Sequence, residues 1–187
     1  MRRTFGIIAA LVLAQITFGQ TVEKKRMDVI NDIIYNRMVD QSDAWWEDGD
    51  YPRIINMMWL LFIANPNDYE AATNLGWMLA NIERYDDELA VYVKYRVSNP
   101  NNAEASFPEA NFYFQKKAYA KVPPLLEASI KKSPHANSYR ILAHSYDKLG
   151  LLQDAKRVWQ AYLTKNPNDE TAKNNLKKIE AKIKDSR

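Results

Sequence analysis

Apolar side chains in this chain recur at intervals of three and four, the period of a helix that buries one face. The pattern is clearest between Ala136 and Asp169. Tyr139, Leu142 and Tyr146 fall on one stripe and Ala155, Trp159 and Tyr162 on another, while Lys148, Gln153 and Lys156 point away from both. Gly150 lies between the stripes, so the spacing predicts two amphipathic helices folded back on each other. The small Ala143 and Ala155 stand where those helices would cross closely.

The same hairpin pattern repeats along the chain, and the prolines set its phase. Pro66, Pro100, Pro134 and Pro167 are 34, 34 and 33 residues apart. Three of them sit in nearly one phrase, Asn65-Pro66-Asn67-Asp68, Asn99-Pro100-Asn101-Asn102 and Asn166-Pro167-Asn168-Asp169. A proline turns the residue before it away from helical geometry, which ends one helix. The Asn or Asp that follows accepts hydrogen bonds from the first amides of the next. A helix stop and a helix start therefore recur with a fixed period, the mark of a stacked repeat array.

Position by position the unit resembles the tetratricopeptide repeat. The family's aromatic, Leu, small, Tyr, Gly, Ala, aromatic and Pro positions fall on Tyr139, Leu142, Ala143, Tyr146, Gly150, Ala155, Trp159 and Pro167. A second unit has Ala72, Leu75, Gly76, Leu79, Tyr85, Tyr92, Tyr95 and Pro100 in those places, with Glu83 for the turn glycine and Glu88 for the small residue. A third keeps Ala110, Tyr113, Tyr119, Leu126 and Pro134. Its Pro108 and Pro123-Pro124 fit a helix only in the first turn, so its two helices are expected to start late, near Ser106 and Ala120. A first unit fits through Met38, Trp45, Gly49, Tyr51, Ile54, Met58, Leu61 and Pro66.

The resemblance implies an all-α fold, a right-handed α-solenoid of about four helix-turn-helix repeats over 35–68, 69–102, 103–135 and 136–169. Helical extensions are expected on both sides. A segment 20–34 lengthens the first helix through Met27, Ile30 and Ile34. A final helix over 170–187 turns Ala172, Leu176, Ile179 and Ile183 inward and carries Lys173, Lys177, Lys178, Lys182 and Lys184 outside, as a polar cap for the stack.

Ahead of the array, Arg2 and Arg3 precede an apolar run from Phe5 to Phe18 that ends in small residues near Gly19. This is the pattern of a secretory signal over 1–19, cleaved before Gln20, and the run is short of the roughly twenty residues that span a bilayer. The chain is accordingly expected to be exported, to the periplasm or the medium.

Composition narrows the chemistry. The 187 residues include no Cys and two His, which excludes disulfides, thiolate metal sites and a catalytic cysteine. His135 and His144 do not share a metal-ligand spacing, and no glycine-rich phosphate loop or nucleophile elbow occurs. Asp40, Asp43, Glu47, Asp48 and Asp50 lack the alternation of a calcium loop. The expectation is no catalytic activity, no metal and no cofactor.

The resemblance implies work by shape instead. In the family the first helices of the repeats line a concave groove that holds a partner's peptide or helix, through positions 2, 5, 9, 12 and 13 of each repeat. On this chain those positions include Trp46, Trp77, Asn111, Phe114, Arg140 and His144, the expected binding residues: aromatic anchors beside amides and a guanidinium. The family's clamp for chaperone tails is not reproduced, since Asn74 alone occupies one of its positions while Val39, Asp43, Glu104 and Pro108 fill others.

Charge is divided along the chain. Gln20 to Glu104 holds 8 basic and 15 acidic residues, and Ala105 to Arg187 holds 16 basic and 8 acidic. That division is compatible with head-to-tail self-association, or with contact between the basic half and an anionic envelope surface. The lysines have few aromatics among them, and no nucleic-acid partner is expected. The function expected is an exported protein–protein interaction module, an adaptor or scaffold. The alternative is an accessory subunit of a cell-envelope enzyme complex.

Overall fold

A computed structural model describes residues 25–185 apart from 27 and 133. The proposed signal at 1–19 lies outside the described residues. Every regular element among the described residues is helical. Helix α1 covers 28–47 and is followed by α2 (Tyr51–Ala64), α3 (Tyr69–Asn81), α4 (Tyr85–Ser98) and α5 (Phe107–Gln115). A single 3-10 turn, Tyr119–Lys121, leads into α6 (Val122–Ile130), and α7 (Ala136–Lys148), α8 (Leu152–Lys165) and α9 (Glu170–Asp185) complete the chain. The contacts divide it into two compact units, one ending at Leu61 and one running from Phe62 to the C-terminus.

One backbone device closes every hairpin. Gly49, Glu83, Lys117 and Gly150 adopt left-handed φ values of 73°, 62°, 59° and 74°. They are spaced 34, 34 and 33 residues apart, the proline period again. After each, the next amide donates to the carbonyl five residues back: Asp50 to Trp45, Arg84 to Leu79, Ala118 to Tyr113 and Leu151 to Tyr146, all at 2.9 Å. The left-handed residue itself donates to the carbonyl three back, at 3.0–3.1 Å in all four turns. This paired bonding satisfies the last carbonyls of the first helix and reverses the chain. Lys117, which had no evident role in the sequence pattern, is thereby the turn residue of the third repeat.

Between hairpins, the residues after each proline cap the next helix. Asp68 Oδ1 accepts from Glu70 N at 2.9 Å and Ala71 N at 3.1 Å, Asn102 Oδ1 from Glu104 N at 2.8 Å, and Asp169 Oδ1 from Ala172 N at 3.0 Å. The third such junction uses a different atom, His135 Nδ1, which accepts from Asn137 N at 3.3 Å. The asparagine before Pro100 also ties neighbouring repeats, since Asn99 Nδ2 donates to Pro66 O at 3.1 Å and Tyr95 O at 2.8 Å. Proline placement in the third repeat follows the steric argument. Pro108 and Pro123-Pro124 all lie in first turns; α5 starts at Phe107, and α6 starts at Val122, behind the 3-10 turn rather than at Ala120.

Within the unit from Phe62, each helix buries its apolar stripe on a neighbour. Leu75, Leu79, Val91 and Tyr95 are fully enclosed between α3 and α4, as are Leu142, Ala143, Ala155 and Trp159 between α7 and α8. Each aliphatic side chain so buried contributes about 1.5–3 kcal/mol. Helix α9 packs on α8 and buries Ala172 and Ile179. An ion pair with little solvent on one side joins α4 to α5, with Arg96 Nε 2.6 Å from the Glu109 carboxylate. In the other unit Trp45 lies under Arg53, and Ile30 and Ile34 on α1 are exposed. No described helix is long and apolar enough to cross a membrane.

Candidate partner-binding site

The site expected from the repeat pattern lies on the first helices of the hairpins, α3, α5 and α7, which the turn and cap geometry sets in the same phase. On α3, Trp77 leaves 53% of its surface to solvent, large for a tryptophan in a packed helical layer. One turn on, Asn81 Nδ2 donates to Trp77 O at 3.0 Å. On α5, which packs on α7, Asn111 and Phe114 are half-buried. Phe114 meets Tyr119 edge to face at 5.5 Å, so much of its ring is spent inside its own repeat.

Arg140 and His144 stand one turn apart on α7 and face different surroundings. Arg140 reaches forward to the next junction, where Nη2 lies 3.0 Å from Asp169 Oδ2, and its guanidinium sits 6.0 Å from the Tyr162 ring. Asp169 also accepts from Tyr162 Oη at 2.8 Å. The Ala172 amide, the Tyr162 hydroxyl and Arg140 together hold the Asp169 carboxyl down at about 2. Arg140 therefore presents its remaining donors from a guanidinium already fixed in place.

His144 is half-buried, its ring edge-on to Trp159 at 5.3 Å. Burial pushes its imidazole below the usual value; Asp147 opposes that, and the ammonium groups of Lys148, Lys182 and Lys178 add to it. Two of these cations come from α9. Lys182 Nζ lies 2.6 and 2.8 Å from the two Asp147 carboxylate oxygens, an ion pair that links α9 to α7. The sequence pattern puts Lys178 and Lys182 on the outer face of the final helix, as part of a polar cap. Both are exposed on α9, and Lys182 in addition reaches across to Asp147 on α7.

Trp46 lies in the unit ending at Leu61, 43% exposed, with its ring edge-on to Tyr51 at 5.5 Å. A separate cavity of about 240 Å³ lies at the C-terminal ends of α4 and α6, among Asn99, Asn102, Ser129 and two cations. Arg96 is committed there to Glu109 and Lys132 to Pro100 O at 2.8 Å, so the cavity is a seam between repeats. Among the described residues no group of three His, Asp or Glu side chains could hold a metal ion.

No protein-family model and no curated protein matches the chain. Solved structures of MamA do match in fold. MamA from Desulfovibrio magneticus RS-1 superposes with a TM-score of 0.62 at 22% identity, covering 81% of this chain and 86% of that one. MamA of AMB-1 gives 0.59 at 19% identity over 81% and 84%, and MamA of MSR-1 gives 0.58 at 20% over 81% and 87%. The architecture is thus an all-α solenoid of tetratricopeptide type.

Proposed function

Starting from a tetratricopeptide-type solenoid, we propose that this chain is a scaffold that binds a peptide or helix of a partner protein along the first-helix face of α3, α5 and α7. The observation that carries the reading is Trp77, an exposed indole on the face where Asn111, Arg140 and His144 supply polar groups at equivalent turns. Large aromatics beside amides and a guanidinium are what peptide-binding hot spots are made of. The apolar run from Phe5 to Phe18 supports action outside the cytoplasm. The test is affinity capture from envelope fractions with the wild type, Trp77→Ala and Arg140→Ala, each checked for an unchanged melting curve. Partners lost from both variants support the reading; partners retained by both overturn the assignment of this face.

A second reading rests on charge. Residues 28–61 carry 7 acidic and 2 basic side chains, whereas α9 carries Lys173, Lys177, Lys178, Lys182 and Lys184. Opposite charge on one molecule supports a heterologous contact between copies, which is open-ended unless it closes into a ring. Light scattering at low and high salt tests it: a mass independent of both salt and concentration would eliminate self-assembly.

A further inference from the structure

The cluster around His144 has a composition that packing alone does not call for. Lys182 on α9 pairs with Asp147 on α7 at 2.6 Å; Lys178 lies one helical turn before Lys182, and Lys148 one turn after His144. Lys148 and Lys178 are exposed and take no part in an ion pair. The His144 imidazole beside them is half-buried, edge-on to Trp159. Three cations against one carboxylate leave a positive surface that an arriving anion would neutralise. We propose that the α7–α9 end of the first-helix face is a proton-linked site for an acidic segment of the partner, with Lys148, Lys178 and Lys182 receiving its carboxylates and His144 taking up a proton as they bind.

This deepens the scaffold reading and rests on it. The groups facing the imidazole set the sign of the linkage. On α7 they are Asp147 and Lys148, on α9 Lys178 and Lys182, and on α8 the apolar Trp159 edge. In the free protein, burial and the three cations disfavour the imidazolium, and only Asp147 favours it. A carboxylate arriving beside Lys178 and Lys182 supplies the missing negative charge, so binding favours protonation and affinity rises as pH falls. An acidic peptide fits better than a membrane surface. A planar bilayer would meet the exposed Lys177 and Lys184, whereas a peptide chain can lie between two helices and reach a half-buried ring.

The experiment is fluorescence anisotropy on the full chain with a labelled ten-residue peptide of alternating Asp and Leu, whose carboxylates stay ionised at pH 5.5. A peptide of alternating Asn and Leu is the control. The wild type is expected to bind the Asp peptide roughly three- to tenfold more tightly at pH 5.5 than at pH 8, a pKa rise of one unit on binding being worth up to about tenfold. Folded His144→Phe should bind with no pH dependence, and Lys178→Gln/Lys182→Gln should lose about tenfold or more at both pH values. A pH gain that persists in His144→Phe, or equal binding of the Asn peptide, overturns the proposal. So does the absence of Asp-peptide binding by a protein that still captures a Trp77-dependent partner, and in that case the scaffold reading stands. Phosphatidylglycerol vesicles form the last arm: adsorption equal in wild type and His144→Phe, without peptide binding, would assign the lysines to a lipid surface and overturn it too.

Discussion

The Tyr92 ring occupies the space into which a Cβ on Gly76 would project, so α3 and α4 can approach as they do only because residue 76 has no side chain. Tyr92 is itself buried, as is Glu88 one turn before it, the carboxylate standing where the repeat pattern expects a small residue. Gly76 thus makes room for an unusually bulky partner. Gly76→Ala should lower stability by about 1–3 kcal/mol in urea unfolding, the usual range for overpacking, although alanine is the better helix former by about 1 kcal/mol. Adding Tyr92→Leu should return part of that loss, giving a clearly non-additive cycle.

The four turn residues give a paired prediction about the unfolded and folded backbone. Glu83 and Lys117 hold left-handed φ values that cost an L-residue about 1–2 kcal/mol. Glu83→Gly and Lys117→Gly should each be neutral or stabilising by up to about 1 kcal/mol. Gly150→Ala should be destabilising by a similar amount, since an added Cβ there meets nothing within 4 Å and the cost is purely conformational. Thermal melts of the three variants check the signs.

Asp169 should titrate far below a free aspartate. Its carboxyl is held at about 2 by the Ala172 amide, the Tyr162 hydroxyl and Arg140, against 3.8 for an ordinary aspartate. Because the folded value is depressed, its contribution to stability is complete above about pH 4 and is lost as pH falls through 2. Carbon-detected NMR titration should place the midpoint near 2, and Arg140→Gln should move it upward.

The array was legible because its punctuation is chemical. Pro66, Pro100, Pro134 and Pro167 each follow a helix end, where the residue before a proline is kept from helical geometry, and Gly49 and Gly150 mark turns that favour a residue without Cβ. The turns at Glu83 and Lys117 were harder to read, because those side chains are strained into a glycine's conformation by the helices around them. Exposure of Ile30 and Ile34 was not legible either, since periodicity reports which residues share a face and not whether anything covers it. The contact of Lys182 with α7 is hidden from the sequence for a related reason: an amphipathic helix looks alike as a terminal cap and as one more groove-lining helix. Lys182 and Asp147, 35 residues apart, settle that only in three dimensions.

The central claim is that the first-helix face of the unit from Phe62 holds the partner, and site-specific photo-crosslinking tests it most directly. Benzoylphenylalanine would be placed singly at Trp77 and Lys148 on that face, and at the exposed Gln153 and Gln160 on α8. One adduct of the same mass is expected from positions 77 and 148 and none from 153 or 160. Adducts formed from 153 and 160 but not from 77 and 148 would contradict it.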